Sequence, residues 1–192
     1  MSENSFYTQT ELLALNFKSL GSSVKVSRKA SLYNVDKIEI GSFSRIDDFC
    51  ILSAGSNGIS IGRNVHIAAY TCLIGRSKIK VGDYANLSSR VSIYSSNDDY
   101  SGHFMTNPTV DKKYTNVMHK NVIIGNHVII GSGSVVLPGV NLGEGAAIGA
   151  LSLVNINCRP FEIYAGAPIK HIKSRSRNLL QVQKLKLQND KN

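Results

Sequence analysis

The sequence predicts an all-β solenoid, a left-handed parallel β-helix of about six three-sided rungs, and three regularities predict it. Aliphatic residues recur every six positions in sets of three: Leu20, Val26, Leu32; Ile40, Ile46, Leu52; Ile61, Ile67, Leu73; Val81, Leu87, Ile93; Ile124, Ile130, Val136; and Leu142, Ile148, Val154. A glycine follows the first member of each set, at Gly21, Gly41, Gly62, Gly82, Gly125 and Gly143. A small or β-branched residue stands four places after an aliphatic one, as at Val24, Ala30, Ser44, Cys50, Val65, Ala85, Val91, Val128, Ser134, Ala146 and Ser152.

A period of six fits neither the 3.6 of a helix nor the alternation of a strand. It fits a triangular coil in which the aliphatic side chain points inward, the small one fills a corner, and glycine or a polar residue turns the chain. Each coil completes its core only against its neighbours, so several must stack. The sets start at 20, 40, 61, 81, 124 and 142, which spaces neighbouring rungs 18 to 21 residues apart save for one gap. That gap contains residues 94–121, polar and without the period. A long irregular excursion from a regular solenoid is most often functional.

The ends differ from the coils. Thr10 before Glu11-Leu12-Leu13-Ala14-Leu15 predicts a short helix within residues 1–18, capping the first rung. The β-helix domain is expected over 19–169, with the extruded loop at 94–121, and a basic tail over 170–192. Within that tail Arg175–Gln188 reads as a short helix or as an extended arm, since Val182, Lys184, Leu185, Lys186 and Leu187 partly alternate.

Composition bounds the function. A chain of 192 residues can bury a real core as one domain. No apolar run reaches the roughly 20 residues that a membrane helix needs. The first residues carry no basic start and no apolar stretch, so no secretion signal is expected. Cys50, Cys72 and Cys158 are odd in number and far apart, and read as reduced thiols of a cytoplasmic protein. The formal charge is +9, and +6 of it falls between Lys170 and the C-terminus, where seven Lys or Arg face one acid, Asp190. No aromatic residues interleave with those cations, which argues against nucleic acid as the partner and leaves an anionic lipid surface, a phosphorylated cofactor or plain solvation.

Four stretches carry a resemblance: IGSFSRIDDF (40–49), IYSSNDDYSG (93–102), HVIIGSGSVVLPGVNLGEGAAIGALSLV (127–154) and IYAGAPIKHIK (163–173). With them, nearly the whole chain resembles the hexapeptide-repeat acyltransferases, more narrowly the bacterial sugar O- or N-acetyltransferases of surface-polysaccharide pathways. The resemblance implies acetyl-CoA as donor, no metal, and a homotrimer with its active sites between subunits. It implies a sugar or nucleotide sugar as acceptor. It also implies that the donor's pantetheine arm passes Ser132, Ala150 and Ala167, and that Lys170 and Lys173 meet its phosphates. Small side chains admit a thin arm and ammonium groups pair with phosphate. The same residues also suit corner packing and a solvated tail.

Acyl transfer needs a base for the attacking group and donors for the developing oxyanion. Relatives such as the galactoside and maltose acetyltransferases use a histidine just after the fourth coil. Laid on this chain through Val91-Ser92-Ile93, that position is Asp98. A carboxylate with an ordinary pKa near 4 is a weak base for a hydroxyl, although burial or the adjacent Asp99 could raise it. The alternatives stay open. Asp98 or Asp99 acts as base, or the two bind the sugar while His103 or His66 takes the proton, or an amino sugar attacks as the free amine. Asp47 and Asp48 form a second carboxylate pair, either for substrate or for ion pairs with Arg45 and its neighbours. Main-chain N–H groups of Gly131, Gly149 or Leu151 are candidate oxyanion donors. Two readings from other classes stand beside this one: a non-catalytic β-helix scaffold with a decayed site, and a γ-carbonic-anhydrase-like zinc enzyme, for which the closely spaced histidine pair is absent.

Overall fold

The computed structural model describes residues 5–189, and Asp190 and Lys191 of the basic tail lie outside them, as do residues 1–4 of the N-terminal cap. Short strands stack into three parallel sheets that form the three faces of a prism. The first face runs Ser19–Leu20, Ile38–Ile40, Ile59–Ile61, Ile79–Val81, Val122–Ile124 and Asn141–Leu142. The second begins with Lys25–Val26 and Arg45–Ile46, and the third with Ser31–Tyr33 and Ile51–Ala54. The fold is the expected parallel β-helix. The three members of each sequence triplet land on the first, second and third face in turn, and register pairs like with like: Ile40 on Ile61, Ile46 on Ile67, Leu52 on Leu73.

Sidedness explains the period. In a short strand alternate side chains point to opposite faces, so a two-residue strand sends one residue into the prism and a three-residue strand such as Ile38–Ile40 or Ile59–Ile61 sends two. Ile46, Leu52, Ile67, Leu73, Leu87, Ile93, Ile124, Ile130 and Leu142 are all completely buried in one column. Burying a residue of this kind contributes about 1.5–3 kcal/mol. The recurrent glycines answer to close approach: a Cβ on Gly41 would stand 2.6 Å from the carbonyl carbon and oxygen of Gly62 in the next turn. Corner serines finish the polar accounting. Ser44 donates its hydroxyl to the Gly62 carbonyl at 2.7 Å and accepts the Val65 N–H at 3.0 Å.

Three differences from the sequence expectation stand out. There are six full turns and a partial seventh, in which Cys158 bridges to Leu142 on the first face and Glu162–Ala165 pairs with Ala147–Ile148 on the second. Cys158 and Tyr164 keep the six-residue spacing but lack the glycine and the third aliphatic. The N-terminal helix α1 (Gln9–Ala14) starts two residues earlier than expected. Thr8, not Thr10, is its cap, because Glu11 three residues on closes a capping box with it. Leu12 of α1 is fully buried against the core and plugs the first turn.

The basic segment begins as structure. After a cis Ala167–Pro168 bond, Lys170–Ser174 reverses and pairs antiparallel with Glu162–Ala165 at the edge of the second face. Helix α2 (Asn178–Asn189) follows, so the ambiguous arm is helical. Arg175 and Gln183 tie this segment to the corner between the first and second faces, through the His127 and Gly145 carbonyls (3.0 and 2.9 Å) and the His127 ring (2.9 Å). No helix of the described residues is long and apolar enough to cross a membrane.

Candidate active site

The excursion leaves the fourth turn at the corner between the third and first faces. Ser96–Asn97 pairs antiparallel with Met118–His119, making a two-stranded neck, and the chain rejoins the first face at Val122–Ile124. Within the loop, Asp98, Asp99 and His103 line one cavity of about 500 Å³, together with Asn97, Tyr100, Phe104, Asn116 and Met118. Asp99 accepts the Ser101 N–H at 2.5 Å. That turn, with help from Asn116 and nearby His103, holds its carboxyl below the ordinary range. Asp99 is thus an ionised, occupied acceptor at neutral pH. Asp98 beside it makes no hydrogen bond or ion pair among the described residues, and its carboxylate is available to a ligand.

His66 lies elsewhere, on the second face. It stacks between Arg45 and Asn86 in the turns on either side. Its Nε2 meets Asp47 Oδ2 at 2.9 Å and its Nδ1 meets Asn86 Oδ1 at 3.2 Å, while Arg45 Nε donates to Asp47 Oδ1 at 2.6 Å. Both ring nitrogens are engaged within the chain, at the edge of a shallow cavity of about 330 Å³ lined also by Phe43 and Asn64. Asp48 points to the next corner. It accepts the Ser27 hydroxyl at 2.5 Å and pairs with Lys29 at 3.3 Å, and the Ser27 bond leads in holding its carboxyl below the usual range. Asp47 and Asp48 therefore serve two separate networks.

Ser132, Ala150 and Ala167 lie along one edge, Ala167 one residue past Gly166, the position in register with Ala150. They occupy the corner between the second and third faces in turns five, six and seven, and all three are exposed. The backbone there is tightly stacked, since a Cβ on Gly131 would stand 2.8 Å from Ala150 Cα and one on Gly149 2.9 Å from Ala165 Cβ. The amides of Gly131, Gly149 and Leu151 are all spent between turns, on the carbonyls of Ile148, Tyr164 and Ser132, at 2.8, 2.8 and 2.9 Å. They are not free for an oxyanion. The amides of Ser132 and Ala150 take no part in that ladder. Lys170 and Lys173 are exposed on the reversed strand just beyond Ala167.

The three free cysteines are Cys50, Cys72 and Cys158, and burial pushes the Cys50 and Cys158 thiols up to about 11, which makes them inert core residues at neutral pH. Among the described residues no three His, Cys, Asp or Glu side chains converge so as to hold a metal ion. Asn116, Tyr100 and Phe104 are site residues that the sequence did not single out. Asn116 becomes visible only once Met118–His119 is known to be a strand.

Comparison with known proteins gives a consistent set. No family model matches the chain. A dTDP-4-amino-4,6-dideoxy-D-glucose acyltransferase of Escherichia coli is 53% identical over 178 residues, 93% of each chain. The structure of AntD, an N-acyltransferase from Bacillus cereus, in complex with dTDP and 3-hydroxybutyryl-CoA superposes with a TM-score of 0.94 at 43% identity, covering 98% of this chain and 99% of that one. AntD has also been solved with variants of a serine and of an aspartate ten positions after it, in complexes with coenzyme A. The galactoside O-acetyltransferase of Escherichia coli K12 is 28% identical over 149 residues, 78% of this chain and 70% of that one.

Proposed function

Since the chain belongs to the hexapeptide-repeat acyltransferases, we propose that it is an enzyme that moves an acyl group, acetyl in the first instance, from coenzyme A to the amino group of a dTDP-linked amino sugar. The observation that carries this reading is the excursion cavity, where the unoccupied Asp98 carboxylate stands beside the ionised Asp99 and the ring of His103. Ser88 and Asp98 are ten positions apart in this chain, as Ser89 and Asp99 are, the spacing of the two residues varied in AntD. The 53% identity to an amino-sugar acyltransferase favours nitrogen over oxygen as the acceptor atom.

The chemistry fits a carboxylate. A sugar hydroxyl needs a base near neutrality, whereas a free amine is already a nucleophile. Its nitrogen attacks the thioester carbonyl, a C–N bond forms, and the carbonyl oxygen becomes an oxyanion. Collapse of that intermediate expels the thiolate of coenzyme A. The ammonium proton passes to Asp98, and His103 in the same cavity is placed to relay it to the leaving sulfur. Asp99 stays ionised and holds the amine by charge, which suits binding better than proton removal.

Assembly follows from the edges used. The acceptor cavity is on the corner between the third and first faces, and the line Ser132–Ala150–Ala167 is on the corner between the second and third. Two different edges of a prism meet only when a neighbouring subunit supplies one of them, and this supports the homotrimer. The donor's arm lies along that line, with the free Ser132 and Ala150 amides facing its carbonyls and Lys170 and Lys173 facing its phosphates. His66 and Asp47, paired with each other, and Asp48, held by Ser27 and Lys29, act here as support for the prism and not as catalysts. The free cysteines, Cys50 and Cys158 buried and Cys72 half-buried, support a cytoplasmic location.

The test is release of free thiol from acetyl-CoA with dTDP-4-amino-4,6-dideoxyglucose and with the corresponding 4-hydroxy sugar. The amine is expected to be acylated and the hydroxyl not. Asp98→Asn is expected to lower kcat by about a hundredfold or more with little change in the KM for acetyl-CoA, and His103→Ala by a smaller factor. No turnover of the amine, or full activity in both variants, overturns the assignment.

A further inference from the structure

The neck of the excursion has two sides, and only one has been described. In a strand, successive side chains point to opposite faces, so Met118 lines the Asp98 cavity while His119, with Val117, lines the other side, and Asn116 borders both. On that far side lies a second cavity of about 510 Å³, lined by Arg76, Lys112 and His119 with Asn107, Thr115 and Val117. No acidic residue lines it. Asp111, next to Lys112 in the chain, is paired with Lys113 at 3.6 Å. The Arg76 guanidinium and the Lys112 ammonium make no hydrogen bond or ion pair among the described residues. His119 is oriented by Ser96, whose hydroxyl meets its Nδ1 at 2.8 Å, which leaves Nε2 toward the cavity; Arg76 is fixed at its backbone by the same Ser96 hydroxyl, 2.8 Å from its N–H.

Two unpaired cations and a held histidine that converge on one concave surface repel one another unless an anion joins them. We propose that this cavity is a diphosphate-binding site, in which Arg76 grips two phosphate oxygens side by side, Lys112 adds a point charge and His119 donates from Nε2. Thr115 and Asn107 supply neutral hydrogen-bonding groups on the same wall. The diphosphate comes from one of two sources, the nucleotide of the acceptor or coenzyme A. The site's existence does not depend on the acyltransferase reading; only the identity of the molecule carrying the diphosphate does. A nucleotide sugar held here would place its sugar at the neck, where Asn116 lines both cavities.

Isothermal titration of the intact protein with dTDP, with coenzyme A and with inorganic pyrophosphate tests this. Arg76→Ala is expected to weaken binding of pyrophosphate and of one nucleotide by about tenfold to a hundredfold, and Lys112→Ala by about threefold to tenfold. Lys80→Ala, an exposed cation on the first face, controls for net charge and should leave every Kd within about twofold. Loss confined to dTDP assigns the site to the acceptor, and loss confined to coenzyme A assigns it to the donor. If Arg76→Ala, folded by circular dichroism, binds all three as tightly as the parent, the proposal is overturned while the acyltransferase reading stands. If the parent binds pyrophosphate through Arg76 but neither nucleotide, the anion site stands and the acyltransferase reading falls.

Discussion

One edge of the prism is built in two ways along its length. At the corner between the second and third faces, Phe49, Tyr70 and Arg90 hold the left-handed position in turns two to four, and Gly133, Leu151 and Gly166 have positive φ in turns five to seven. The backbone device is the same, but the side chains are not. In the lower half Phe49 stacks on Tyr70 with centroids 5.0 Å apart and planes inclined 20°, Lys29 lies over Phe49 at 5.3 Å and Arg90 over Tyr70 at 5.2 Å. That continuous cation–aromatic ladder covers the edge. In the upper half the ladder stops: the exposed residues of turns five and six on this edge are Ser132, Ala150 and Leu151, with no aromatic ring or cation among them. A left-handed conformation costs a non-glycine residue about 1–3 kcal/mol, so keeping Tyr70 and Arg90 there requires the ladder to return a similar amount. One half of the edge is thus covered by a cation–aromatic ladder, and the other carries small residues and one exposed leucine.

The contrast can be broken at either end. The largest effect is expected from Ala150→Trp, which sets an indole on the half without the ladder: the KM for acetyl-CoA should rise at least tenfold, a loss of about 1.4 kcal/mol or more in binding, with an unchanged unfolding midpoint. An unchanged KM would mean that the donor does not pass this corner. Replacing both Lys170 and Lys173 by alanine should raise the same KM about threefold to tenfold, with the effect fading at high salt; no salt dependence would return them to solvent. On the ladder half, Tyr70→Ala should cost about 1–2 kcal/mol in denaturant unfolding and leave the donor KM alone. Tyr70→Gly should cost less, because glycine relieves the left-handed strain. If the alanine variant changes KM and not stability, the ladder belongs to the site. The smallest effect concerns pH. Asp48 is held below the ordinary carboxylate range, so its bonds to Ser27 and Lys29 stabilise fully above that range and are lost as pH falls through its depressed value. The stability difference between parent and Asp48→Asn should therefore be flat at neutral pH and shrink in acid; a difference that grows in acid would contradict the assignment.

The coils were legible because the period of six is imposed by burial, and burial tolerates few residue types. Gly41 and its equivalents were legible for the same reason, since a Cβ there strikes the turn above. The partial seventh turn was not, because Cys158 and Tyr164 fill their inward places without the glycine or the third aliphatic. Nothing in the sequence marks Phe49, Tyr70 or Tyr84 as left-handed, for their ring partners stand a whole turn away, 21 residues between Phe49 and Tyr70 and 43, across the excursion, between Tyr84 and His127. The excursion was visible by loss of period, and with it Asp98, Asp99 and His103. Arg76 was not, because on a regular coil it reads as any exposed corner residue until the loop folds over it. Lys170–Ser174 reads as tail for a related reason. Its pairing with Glu162–Ala165 depends on a chain reversal, which charge composition does not encode.

The stacking has a consequence for distance. Neighbouring strands in a sheet are about 4.8 Å apart, so any two groups on one edge of this prism are separated by whole multiples of that step. From Ser132 to Gly166 is two steps, and the reversed strand at Lys170 fixes where the scale ends. The prism works as a graduated rule: adding or deleting one turn would move Lys170 and Lys173 along the edge by a full division, with no intermediate setting open to point mutation.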